Sequence, residues 1–392
     1  MPMTSRREPA VLVAGLVTSI VWVGTAVLSD WAHTNVTDQV DASLVRALVP
    51  HPNGTLPGGA AITGQTILAA LLAGLVVMAV AYLATRRLPR RSGGWAVFLA
   101  AWSGVVVGGV VGSVADTVAD IAFPAPMNPA FHLLASSFDG GWWGLVNGWV
   151  VALSLAGTLA VTNRSSAADL PATRRSRKPL RARAYPAVIV AGLTATVVWV
   201  AVGAAGSWLV WHRSARGPID LVGEIAPGAM IFRFAPQAQP VQVTEVVLAV
   251  VVGLVVAGGA WLATRRLPPG ADRWTATLAV WHTTVVAAVL AGTARSFATY
   301  APSGLHPATV DLVLPAAQAS LVWPLATGWV AALLAGLTYE RTGGGASAEV
   351  VPPTDSTGPE GRPDVEDPPR SASDDAPRSA LHTDTEEPSL VP

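Results

Sequence analysis

Only a few residues in this chain pair a chemically active side chain with an informative position. Asp116 and Arg295 each lie fourteen residues past a tryptophan, Trp102 and Trp281, in two stretches that otherwise align. Opposite charges at equivalent depths can pair across two copies of a unit. The pair can then act as a gate or as a structural ion bridge, and the bridge suits residues near lipid headgroups, where charge is cheap. Asn147 and His282 stand out among the few polar groups within apolar sequence, His282 near the cytoplasmic end of its span and aligned with Ser103. An ionisable group in such surroundings is a candidate functional residue. His282, however, has no acid or nucleophile at a fixed spacing, so a hydrogen bond between helices is the expected role. Asn147 lies inside Gly144-Leu-Val-Asn-Gly148, where small residues four apart let helices approach and the amide can bond across the contact.

Other chemistries are excluded. The chain has no cysteine, hence no disulfide, iron–sulfur cluster or thiolate zinc site. Its one lysine, Lys178, follows no Gly-x-x-x-x-Gly, so no P-loop is present, and neither His-Glu-x-x-His nor Gly-x-Ser-x-Gly occurs. His33, Asp38, Asp41 and His51 share a Pro- and Gly-rich stretch without the i, i+4 spacing of a helical ligand set, and read as a solvated loop. No catalytic, cofactor or metal residues are assigned, and an enzyme is not expected.

The elements that must carry these residues are membrane helices. Hydrophobic residues make up 51% of the chain and charged residues 13%. The apolar residues fall in blocks of about 20, the length that crosses ~30 Å of hydrocarbon. Eight spans are expected, at 10–29, 67–85, 95–114, 143–161, 187–211, 246–264, 274–294 and 321–339, none of them broken and none with a buried carboxylate. Trp142, Trp143, Trp208, Trp211 and Trp323 suit an aromatic belt at the outer membrane surface. Apolar runs at 131–134, 228–234 and 310–314 suit interfacial segments.

Leu83-Ala-Thr-Arg-Arg-Leu-Pro89 returns letter for letter as Leu262-Ala-Thr-Arg-Arg-Leu-Pro268, and Trp95, Trp102 and Trp149 answer Trp274, Trp281 and Trp329. Such internal repetition sets the architecture. The expected fold is all-α, a polytopic membrane protein whose eight transmembrane helices form two parallel four-helix repeats, 1–164 and 186–342. A basic linker, 165–185, joins them, and an acidic, disordered tail, 343–392, follows. The proline of each seven-residue motif ends a helix and makes the next antiparallel. Arg86, Arg87, Arg265 and Arg266 read as lipid or topology anchors at those turns. Because the first span is echoed at 187–211, a cleaved signal peptide is not expected.

Gly104, Gly108 and Gly112 form a stripe of close approach on the third helix, answered by Thr283, Ala287 and Ala291 on the seventh. These stripes suggest that the two helices meet near the axis relating the repeats. With the N-terminus inside, 17 basic residues fall on cytoplasmic segments and 5 outside, which places both termini and the linker in the cytoplasm. A single lysine beside 24 arginines suggests a GC-rich bacterial gene and a bacterial plasma membrane. The tail carries eleven acidic residues and three arginines, a composition that favours disorder.

Two functional readings follow. The helix order of each copy resembles that of permease subunits of some ABC exporters, which implies transport of a solute, powered by an ion gradient or a separate ATPase subunit. The alternative is a non-catalytic scaffold or accessory subunit of a membrane complex. Membrane lipids are expected partners under either reading, and nucleic acid is not.

Overall fold

The computed structural model describes residues 8–36, 48–52, 63–86, 94–121, 129–165, 185–213, 239–265, 267, 271–300 and 307–344. Among them the regular structure is entirely helical. The helices are α1 (Glu8–Asn35), α2 (Gly64–Thr85), α3 (Gly94–Ile121), α4 (Pro129–Ser165), α5 (Tyr185–Arg213), α6 (Gln239–Thr264), α7 (Arg273–Tyr300), α8 (Pro307–Ala319) and α9 (Trp329–Tyr339). They supply eight segments long and apolar enough to span a membrane, the eighth running from α8 into α9. All belong to one compact unit, 1–349. Helix is the required form here, because a backbone crossing hydrocarbon must satisfy its own N–H and C=O groups.

Hydroxyl side chains follow the same constraint by bonding back to the carbonyl one turn earlier. Thr18 donates to Ala14 O at 2.7 Å, and Thr85 to Ala81 O at 2.7 Å. Its sequence equivalent Thr264 donates to Ala260 O at 2.7 Å. At the start of α2, Thr63 and Thr66 form a reciprocal cap: the Thr63 hydroxyl accepts from the Thr66 N–H at 3.1 Å.

Packing repeats at equivalent positions in α1–α4 and α5–α9. Ser19 of α1 donates to Ala70 O of α2 at 2.9 Å, and Thr196 of α5 donates to Ala249 O of α6 at 3.2 Å. Beside these bonds the backbones nearly touch. A Cβ on Gly74 would lie 2.9 Å from Gly15 O, and one on Gly253 would lie 2.9 Å from Gly192 O. Trp22 meets Trp143 edge to face at 4.7 Å, and Trp199 meets Trp323 at 4.9 Å. Exposed faces repeat too: Leu12, Leu16 and Ile20 line the outside of α1, and Ile189, Leu193 and Val197 that of α5. These i, i+4 rows are the faces available to lipid.

Three expectations are corrected. The eighth span is broken: α8 ends at Ala319, a π-helical turn occupies Pro324–Gly328, and α9 follows. Pro324 has no N–H to give the preceding turn, which is a sufficient cause for the interruption. Carboxylates are buried at the ends of spans, namely Asp116, Glu245 and Asp272. Trp142, Trp143 and Trp323 are buried rather than belted at the surface, because Trp143 and Trp323 are the inner members of the edge-to-face pairs. In addition, 129–141, read from sequence as part of a connection, is continuous with α4. The linker, the tail, the run at 228–234, Arg87 and Arg266 lie outside the described residues.

Candidate functional site at the seam between the two halves

The two most enclosed spans are those of α7, 78% buried, and α3, 61% buried, while the other six range from 28% to 50%. They pack against each other, and α2 touches α7 as α6 touches α3. The seam between α1–α4 and α5–α9 is therefore built on α3 and α7, as the sequence suggests, but not through the glycine stripe. A Cβ on Gly104 would meet Val80 and one on Gly108 would lie 2.8 Å from Ala73 O, both on α2, while one on Gly112 would lie 2.7 Å from the Trp22 ring of α1 and 3.1 Å from Ala69 O of α2. The stripe holds α3 against α2 within one half. On the other side of the seam, Thr283 packs into Gly259 of α6 in the same manner. Gly144 and Gly148 bring α4 onto α3: a Cβ on Gly144 would lie 2.5 Å from Val106 Cα, and one on Gly148 would strike Trp102. Asn147 does not bond across that contact. Its amide donates to Trp143 O of its own helix at 3.1 Å, just as Thr327, at the matching position, donates to Trp323 O at 3.0 Å. The close approach leaves room for backbone and indole, and the short amide reaches its own preceding turn first.

Among the described residues, polar contacts cross the seam at both shallow and deeper positions. At one end the Arg86 Nε and Nη2 bind Asp272 Oδ2 at 3.0 and 2.9 Å, with the aspartate side chain only 5% exposed. Asp272 also stands at the N-terminus of α7, where its Oδ1 faces the Trp274 N–H at 3.4 Å. One turn further on, Thr275 donates to Ala84 O at 2.7 Å. Deeper, the Ser103 hydroxyl lies 2.7 Å from Leu278 O of α7 and 3.0 Å from Leu99 O of its own helix.

Each of these contacts has an equivalent position in the opposite half where the chemistry changes. By the register of the repeated motif, Asp272 answers Gly93, Thr275 answers Ala96 and Ser103 answers His282. The contacts of Arg86 and Thr275 lie on the α2–α7 side of the seam, and that of Ser103 joins α3 to α7.

His282 is the residue this asymmetry isolates. It is 1% exposed, and neither ring nitrogen has a hydrogen-bond partner. Its ring lies against Trp102 of α3 with centroids 4.4 Å apart and planes tilted by 36°. Trp102 is in turn the end of an edge-to-face series on one face of α3, through Phe98 at 5.5 Å to Trp95 at 5.7 Å. The Trp102 indole is fixed by donating to Leu145 O at 2.9 Å, as Trp281 does to Pro324 O at 2.9 Å. The interhelical hydrogen bond expected of His282 from sequence is thus not formed. A buried polar group without a partner costs about 1–3 kcal/mol, so the seam holds a polar site whose demand is unmet. His282 stands nine positions along α7 from Arg273, roughly 14 Å from that end at ~1.5 Å per residue.

At the other end of α7, Arg295 is held by Glu245 of α6. Its Nε donates to Oε1 at 2.8 Å, Nη2 binds Oε2, and the guanidinium lies 5.9 Å from the Trp199 ring. Sequence reasoning did not single out Glu245, which stands at the first position of its span. Its equivalent in the first half is Thr66, as that of Arg295 is Asp116. Arg273 and Glu340, 3.5 Å apart, form a more exposed pair. Among the described residues no group of three or more His, Asp or Glu side chains is placed to hold a metal ion.

Comparison with protein-family models, curated proteins and solved structures finds no match to this chain. What the fold and the seam define is a class: an all-helical, multi-pass membrane protein with eight candidate spans.

Proposed function

We propose that this chain is a permease-like protein of the bacterial plasma membrane. Its two parallel four-helix repeats move against each other along α3 and α7 to admit a solute between them. In parallel-repeat transporters the repeats are related by an axis along the membrane normal, and sites lie near the midplane at the repeat interface. The observation that carries the reading is His282, buried between the two halves with both nitrogens unsatisfied. A static scaffold gains nothing from such a residue, whereas a seam that opens gives it water or solute as a partner. The broken eighth span, whose π-helical turn includes the Pro324 carbonyl that holds Trp281, gives the second half a place to flex. Energy comes from an ion gradient or from a separate ATPase subunit.

The cysteine-free sequence makes the test direct. His282→Cys introduces a single thiol, and in proteoliposomes an opening seam exposes it to an impermeant thiol reagent in a fraction of molecules, from each side in turn. Complete protection from both sides, with full reaction after denaturation, favours the scaffold reading. A thiol at Ser166 reports orientation in the same way: with the linker cytoplasmic, it stays unlabelled in intact cells.

A further inference from the structure

Among the described residues of α7 and the helices packed against it, the charged and titratable groups other than His282 gather at the two ends of α7. At one end stand Asp272, held by Arg86, and Arg273, paired with Glu340. The phenols of Tyr82 and Tyr339 belong to the same end, Tyr82 one turn before Arg86 and Tyr339 beside Glu340. At the other end stand Glu245, which grips Arg295, and Asp116, which is also engaged. Asp120 of α3 and Asp311 of α8 come further still along their helices. Between the two groups His282 keeps both nitrogens free, with the Trp102 ring 4.4 Å away, and no charged group acts on it. The buried carboxylates Asp116, Glu245 and Asp272 are thus committed to partners, and the free lone pair in the seam is that of a neutral imidazole.

We propose that the ion coupled to opening of the seam is the proton, and that His282 carries it. The proposal rests on the permease reading and names its ion. In an open seam the lone pair of one ring nitrogen takes a proton from hydronium, leaving water and an imidazolium. The same N–H bond returns its proton to water when the seam opens to the other side. The indole face of Trp102 attracts the cation formed, and imidazole is the side chain that exchanges protons near neutral pH. In the closed seam neither an acceptor nor a counter-charge meets the ring, so the open state binds the proton better. Opening therefore grows as pH falls through the ordinary imidazole range, at about 6.5.

The experiment places a single thiol at Val106, a buried residue of α3 that packs into the core of the second half. Full-length Val106→Cys protein in proteoliposomes is labelled with an impermeant thiol reagent between about pH 8 and about pH 5. Each rate is divided by that of the denatured protein at the same pH, which removes the titration of the thiol itself. With His282 present, the corrected rate is expected to rise about tenfold per pH unit at the acid end, the effect of one proton taken up on opening. In His282→Gln and His282→Phe backgrounds it is expected to stay flat. Labelling with the same pH profile in all three backgrounds overturns the proton as the coupled ion and leaves an opening seam in place. Protection at every pH, with full reaction after denaturation, overturns the proposal together with the permease reading.

Discussion

Ser103 and His282 occupy equivalent positions in the two halves, yet only Ser103 bonds across the seam, its hydroxyl 2.7 Å from Leu278 O, while both nitrogens of His282 are without partners. A residue kept for stability would satisfy the bond that its counterpart makes. Replacing a stranded polar group by an apolar one of similar shape is neutral or stabilising, by up to ~1–3 kcal/mol. His282→Phe, which keeps a ring against Trp102, is therefore expected to raise the unfolding temperature in detergent. Ser103→Ala is expected to lower stability by about 1 kcal/mol. A lower melting temperature for His282→Phe would assign the imidazole a structural role and remove the main support for transport.

Arg86 and Asp272 form an ion pair between the halves, and Asp272 also faces the first turn of α7. The two roles separate by substitution. Asp272→Asn keeps the cap and loses the charge, while Asp272→Ala loses both. With Arg86 one-third exposed, the pair contributes only about 1 kcal/mol, and the cap a further ~1 kcal/mol. Asp272→Asn is expected to cost about half of what Asp272→Ala costs, and Arg86→Ala to add little to either. Equal losses for Asn and Ala, read by thermal unfolding at low and high salt, would show that the cap contributes nothing.

Helix contact within the first half is tightest where α3 crosses α4. A Cβ on Gly109 would sit 2.1 Å from Gly140 O, and one on Gly140 would sit 2.2 Å from Gly109 O. Backbone cannot yield as a side chain can, so either Gly→Ala change must part the helices and is expected to cost at least ~3 kcal/mol, at the upper end for overpacking. Gly24 and Gly157 face open space, and alanine there is expected to be tolerated, with a change of at most about 1 kcal/mol. Expression and monodispersity of the four variants in detergent give the ranking.

Much of this was legible in the sequence. Eight apolar blocks and an exact heptapeptide repeat suffice to name the helices and their equivalences, because the bilayer fixes segment length and the duplication fixes register. The meeting of α3 and α7 was legible as well, but for the wrong reason. A stripe such as Gly104, Gly108 and Gly112 announces that some backbone comes close and cannot say which one. The break at Pro324–Gly328 is not legible in the sequence, since a proline in an apolar run can kink, end or simply start a helix. Glu245 was hidden by its position at the edge of a span, where an acid reads as loop. That edge position is what lets it reach Arg295 from the neighbouring helix.

The Glu245 and Arg295 pair gives the most discriminating prediction. Glu245 is 2% exposed and grips Arg295 with both carboxylate oxygens. At the matching positions the first half carries Thr66 and Asp116, and both are buried there too. Different polar residues therefore stand buried at matching positions of the two halves. Glu245→Thr alone takes the carboxylate from the Arg295 guanidinium, and losing one partner of a buried pair costs about 3–5 kcal/mol. Adding Arg295→Asp transplants the first half's combination into the second and is expected to recover most of that loss. The single Arg295→Asp variant, with two carboxylates facing each other, is expected to be the least stable of the three. Thermal unfolding in a neutral detergent reads the order directly. A double variant no better than Glu245→Thr alone would mean that the two halves, though written alike, do not share the environment that their hydrogen bonds and ring pairs describe.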